Sequence, residues 1–305
     1  MDEYLRDFTY VIRNCAMENT YKMGWARAIV EYLVRHPTKN QIHFDELAPL
    51  IFKYYWNQLI FFNLNQSPNL NKPPTICQIV YSAIEKFSAK KPQLFTRCES
   101  QINIPIKQIS DTLKKDVSHR FLKCNGANYP LYDLDRGGRI LFFNAPDVIR
   151  SHADVLFELI NYRWVQKLEE CNSSPRISKK VKGSEQENIR RGNLKKFHET
   201  LDLDNPDHTC FITGKPIKNL SVDHVIPWSY LYSDDLWNLV YVEKGVNSSK
   251  SNQIPDEDAI GRLEKRNLGL LQLIDKKGIV NKQREELSLA IENNYVRRFW
   301  IDCKG

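Results

Sequence analysis

The sequence of 305 residues holds no apolar run long enough to span a membrane. Its acidic start, Met1-Asp2-Glu3, is not that of a secretory signal. Its seven cysteines are an odd number, scattered without a paired spacing. That argues against a disulfide framework and for reduced thiols in a cytoplasmic protein. No internal repeat, long low-complexity tract, helix-turn-helix or zinc-finger signature is apparent, so no recognition sequence can be named. What is there is an ordinary soluble composition, 42% hydrophobic and 27% charged. A net charge of +7 is compatible with a polyanionic partner without demonstrating one. The length suits two domains with ample material for a core.

Periodicity places helices over much of the first half. Residues 4–35 read as two helices, with Phe8, Val11, Ile12 and Cys15 on one face and Trp25, Ile29 and Leu33 continuing after Asn19-Thr20. A helix from Phe44 to Phe62 follows, striped by Leu47, Leu50, Ile51, Tyr54 and Tyr55. Its aromatics (Tyr54, Tyr55, Trp56, Phe61, Phe62) suit base stacking or a buried face, and the stripe favours burial. Residues 63–74 read as a loop, 76–87 as a helix broken by Lys90-Lys91-Pro92, and 93–121 as mostly helical. Pro130 to Phe143 reads as a β-hairpin turned by Gly137-Gly138. A long helix from Asp147 to Glu170 carries the stripe Val148, His152, Val155, Leu159 and Tyr162, with His152 an interior or boundary histidine rather than a ligand. Residues 256–274 and 285–301 read as two further helices.

The most informative stretch is SVDHVIPWSYLYSDDLWNLVYVEKGVNSSKSNQIP, from Ser221 to Pro255. An apolar run from Leu220 to Ile226 carries Asp223-His224 and stops at Pro227, which has no N–H to donate. Asn238 opens the β-rich Asn-Leu-Val-Tyr-Val, and Asn247 precedes a polar stretch able to form a short helix before Pro255. The order is strand, loop, strand, helix. DHVIPWS, WNLV and NSSKSN, in that order, resemble the ββα-metal motif of HNH endonucleases, in wording close to the HNH domain of CRISPR effector nucleases.

That resemblance implies Asp223 and Asn247 as ligands of a divalent metal and His224 as general base. It makes Asn238 the supporting member of the catalytic set. Lys250, and with less force Lys244, would contact phosphate. The chemistry agrees. A neutral imidazole suits the activation of water near pH 7. One carboxylate and one amide carbonyl leave most of a coordination sphere to water and phosphate, which favours Mg²⁺ or Mn²⁺. In a regular strand neighbouring side chains leave opposite faces, so Asp223 and His224 can serve one phosphate only if the strand ends or distorts there. Cys210 stands where many HNH proteins carry a zinc knuckle, but Thr213 occupies the place of the second cysteine. Structural zinc is therefore not expected, and Cys210 reads as a small buried hydrophobe.

The expected architecture is α+β. A mainly α-helical region with a small β-hairpin, residues 1–171, recognises DNA or docks a regulatory protein. A basic linker, 172–196, precedes an HNH nuclease domain with C-terminal helices, 197–305. The linker's Arg176, Lys179, Lys180, Lys182, Arg190, Arg191, Lys195 and Lys196 read as phosphate contacts, against the alternative of a solvated hinge. The function so implied is metal-dependent hydrolysis of DNA, double-stranded by preference, in bacterial restriction or anti-phage defence. The alternatives are a non-catalytic DNA-binding or regulatory module with a vestigial core, and an RNA nuclease.

Overall fold

In the computed structural model the described residues are 2–69, 71–86, 93–172, 174, 176–183, 193–250 and 253–304, without the side chains of 182, 183 and 248–250. The chain divides into two compact units, Met1–Asn172 with Ile177–Gln186, and Ser173–Arg176 with Glu187–Gly305. It is helix-rich α+β with small sheets.

The first unit contains α1 (Glu3–Asn14), α2 (Tyr21–Arg35), β1 (Gln41–His43), α3 (Phe44–Trp56), α4 (Thr75–Lys86) and α5 (Ile106–Asp116). After these come β2 (Lys123–Cys124), β3 (Ala127–Asn128), β4 (Asp133–Asp135), β5 (Ile140–Phe142), α6 (Pro146–Ser151), α7 (Ala153–Glu169) and α8 (Ile177–Gly183). Trp25, Tyr55, Trp56 and Trp164 are buried in its core. The aromatic residues of α3 therefore pack inward and do not form a stacking platform. Gly24 lets α2 approach closely, because a Cβ there would stand 3.2 Å from the Tyr55 ring and 3.4 Å from Trp164. Arg27 is buried as well, its guanidinium 4.7 Å from the Tyr54 ring centroid and 3.3 Å from Asn161 Oδ1.

Three expectations change here. The hairpin β4–β5 forms, with Asp135 opposite Ile140, but the left-handed residue of its turn is Arg139 rather than a glycine. Gly138 is needed for space instead: a Cβ would fall 2.4 Å from the Asp135 carboxylate that caps the turn. β1 pairs with β5 to make a third strand, and β2–β3 form a second hairpin through Asn125-Gly126, both at positive φ. The long helix is two, α6 and α7, broken at His152, whose exposed ring lies 2.9 Å from the Val148 carbonyl. Its inward face is Ala153, Leu156, Ile160, Trp164 and Leu168, one residue out of phase with the expected stripe, so Val155 and Tyr162 face solvent.

The second unit contains α9 (His198–Asp204), β6 (Leu220–His224), α10 (Trp228–Leu231), β7 (Leu239–Glu243), α11 (Lys244–Lys250), α12 (Glu257–Lys276), α13 (Lys282–Glu292) and α14 (Tyr295–Lys304). Asp256 caps α12 by accepting from the Ala259 amide at 2.7 Å, and Asn281 caps α13 through Arg284 at 2.9 Å. The single helix expected over 285–301 breaks at Asn294, which has φ 55°. α14 then packs back: Trp300 Nε1 donates to the Pro255 carbonyl at 2.8 Å, and Arg297 forks onto Glu264 at 2.8 and 3.1 Å. Among the described residues, no helix is long and apolar enough to cross a membrane.

Candidate active site

β6 (Leu-Ser-Val-Asp-His) and β7 (Leu-Val-Tyr-Val-Glu) pair antiparallel from Leu220 opposite Glu243 to His224 opposite Leu239. Their β-branched and aromatic residues suit paired strands, and β7 is covered on both faces, with Val240, Tyr241 and Val242 all buried. The strand ends at His224. Asp223 is still paired in the ladder, opposite Val240, and His224 forms its last rung. One further bond, from the Val225 amide to the Asn238 carbonyl at 2.9 Å, closes the base of the intervening loop.

Asn238 makes that closure rigid. Fully buried, it accepts from the Ile226 amide at 2.8 Å and donates to the Ile226 carbonyl at 2.9 Å. Its amide thus holds the segment that follows His224. Two residues of α12 support the same loop from behind. Asn267 donates to the Trp237 carbonyl at 2.9 Å, and Arg266 donates to the carbonyls of Leu236 and Leu239. Burial pulls the Arg266 guanidinium down to about 10, still well above neutrality, while Asp204, 3.7 Å away, works in the opposite direction. Asp204 is in turn pushed above the usual carboxylate range by burial, against the pull of Arg266.

His224 Nε2 lies 2.9 Å from Asp234 Oδ1, with the two side chains 2% and 14% exposed. An ionised carboxylate can only accept, so Nε2 is the donor in this contact. Asp234 was not singled out from the sequence. It is one acidic residue of a loop, and only the chain reversal between the strands brings it to the imidazole.

Asp223 is buried on the Ser221 side of β6. α11 reaches that side: Asn247 Nδ2 donates to Ser221 Oγ at 3.0 Å and to the Val222 carbonyl at 3.5 Å. A backbone carbonyl can only accept, so the amide nitrogen faces the strand and the carbonyl oxygen of Asn247 is turned away from these bonds. A buried carboxylate and an outward amide oxygen on neighbouring elements fit a hard, oxygen-loving cation. Among the described residues there is no cluster of three His, Cys, Asp or Glu side chains.

Residues 211–256 match the family model described as HNH endonuclease. The chain carries an HNH-family domain. No curated protein and no solved structure matches the chain. Asp223, His224, Asn238 and Asn247 all fall within the matched HNH segment, as does Asp234, whereas Asp204, Arg266 and Asn267 lie outside it.

Just before the HNH segment, Cys210 forms a tight turn: its carbonyl accepts from Gly214 at 2.8 Å, and its amide donates to Lys215 at 2.8 Å. Gly214 has φ 67°. Burial pushes the Cys210 thiol up, but hydrogen bonds from the Thr213 hydroxyl and nearby amides, Glu243 among them, bring it below its ordinary value.

The predicted cations scatter. Lys244, Lys179, Lys195 and Lys196 are exposed, with Lys196 Nζ 4.9 Å from the Phe197 ring centroid. Lys180, expected as a phosphate contact, is fully buried in α8. Arg176 is committed to Asp235 at 3.5 Å and to the Tyr232 carbonyl. Of the residues expected as a linker, some group with the first unit and some with the second. Arg190 and Arg191 lie outside the described residues, as do the side chains of Lys182 and Lys250.

Proposed function

We infer that this protein is a metal-dependent endonuclease that hydrolyses DNA phosphodiester bonds, with His224 as general base. The observation that carries the reading is the His224–Asp234 contact at the end of a strand whose adjoining residue is a buried aspartate. With its proton fixed on Nε2, His224 takes a proton from water at Nδ1, and Asp234 stabilises the imidazolium that results. Asn238 holds the backbone just beyond the imidazole, so the ring keeps one orientation. Asp223 and Asn247 would hold one Mg²⁺ or Mn²⁺ ion, which when bound neutralises charge on the phosphate and on the departing oxygen.

Lys244 and Lys250 begin and end α11 and would meet flanking phosphates. The first unit, in this reading, binds DNA or a regulatory protein and restrains the nuclease. Its setting is bacterial restriction or anti-phage defence, where a nuclease must be held in check until a target is met.

The test is cleavage of supercoiled plasmid by the wild type and by His224→Ala, with Mg²⁺, with Mn²⁺ and with chelator. Metal-dependent cutting that the variant loses, at unchanged circular dichroism, is the expected result. Equal cutting by both proteins would sink the assignment of the base.

A further inference from the structure

The first unit contains a cleft of about 810 Å³ that none of the chemistry above uses. Its walls come from three segments: residues 16–22 leading into α2, residues 67–69 with 72–78 leading into α4, and residues 115–123 at and beyond the end of α5. Five cations line it, Lys22, Lys72, Lys115, Arg120 and Lys123, against two carboxylates, Glu18 and Asp116. Lys22 is half-buried and the other four are exposed. None of the five forms an ion pair with a described residue. Among the described residues, these five cations are therefore not neutralised by an acid in direct contact. α2, of 15 residues, and α4, of 12, both begin at the cleft, which adds the positive ends of two helices.

We propose that this cleft binds the phosphate backbone of a nucleic-acid strand. The volume lies within the roughly 300–1,000 Å³ of pockets that enclose ligands. Unpaired lysine ammonium groups, free of fixed hydrogen bonds, act as point charges on separate phosphates and need no base identity. Tyr21, Ser67 and Val117 are the buried members of the lining, set among the exposed cations. The proposal does not require that the HNH domain cleave the bound strand, and its test is kept separate from cleavage.

The experiment uses the full chain carrying His224→Ala, a labelled single-stranded DNA oligonucleotide, and anisotropy titrations at several salt concentrations. Combining Lys72→Gln, Lys115→Gln and Arg120→Gln should weaken binding at least about tenfold at low salt. It should also lower the slope of log affinity against log salt by about 2, at roughly 0.7 per phosphate contact on a single strand. A control with Lys39→Gln, Arg97→Gln and Lys107→Gln removes the same charge from exposed positions outside the cleft. Unchanged affinity and slope in the cleft variant would overturn the proposal, and so would an equal loss in the control. Binding of a free nucleoside triphosphate that is abolished in the cleft variant, with oligonucleotide affinity intact, would assign the cleft to a small nucleotide and overturn the strand reading.

Discussion

The two units handle polar groups in opposite ways. Around the HNH hairpin, Asp223, His224, Asn238, Arg266 and Asn267 are withdrawn from water, and hydrogen bonds at 2.8–2.9 Å hold several of them. Around the cleft of the first unit, four of five cations stay in solvent with no ion-pair partner among the described residues. A buried polar group without its partner costs free energy, so the HNH site specifies its geometry at a risk to stability. An exposed cation risks little and specifies little beyond charge. The first arrangement suits chemistry at one atom; the second suits attraction of a polyanion.

The comparison can be broken by substitution. The largest effect should come from Arg266→Met, which leaves the part-buried Asp204 uncompensated and releases two loop carbonyls. A loss of roughly 3–5 kcal/mol is expected in denaturant unfolding of the second unit. Asn238→Ala should follow, at roughly 2–4 kcal/mol, because both backbone groups of Ile226 lose their partner in a buried place. By contrast, the cleft substitutions should change stability by no more than about 0.5 kcal/mol. A cleft variant that unfolds as readily as Asn238→Ala would mean that its lysines are structural after all.

Smaller effects sharpen the picture. Asp234→Asn keeps the shape but removes the charge that fixes the His224 tautomer. Cleavage should fall roughly 10–100-fold, with melting and oligonucleotide affinity unchanged. A matching fall in melting temperature would make Asp234 a structural residue rather than a positioning one.

The smallest effect concerns Asp202, which hydrogen bonds from His208 and Tyr241 hold below the usual carboxylate range. Its contribution is therefore present above the unfolded value of about 4 and is lost as pH falls through the lowered folded value. Asp202→Asn should melt slightly earlier than the wild type at neutral pH. That gap should close in acid; a gap that persists there would assign the effect to lost shape instead of charge.

How much of this was legible depends on range. β6, β7 and α11 could be read because each signal is local: apolar alternation stopped by Pro227, an Asn opening a β-rich run, a polar turn before Pro255. The phase of α7 was misread because Val155 and Tyr162 are apolar yet face solvent, and periodicity alone cannot tell which of two overlapping stripes meets a core. Asn125-Gly126, which turns β2 into β3, is itself a local hairpin signal. Asp234, Arg266 and the third strand β1 carry no local mark, since each acquires its role from a partner distant in sequence.

By itself, then, the sequence determined the order strand, loop, strand, helix and the positions of Asp223, His224, Asn238 and Asn247 along it. Those follow from backbone preference and side-chain chemistry within a few dozen residues. Tertiary structure alone decided that Asp234 meets His224, that α12 supports the loop, and that three separate segments gather around one cleft cations that form no ion pair among the described residues. Such contacts join chain segments by burial and charge, and no local propensity encodes them.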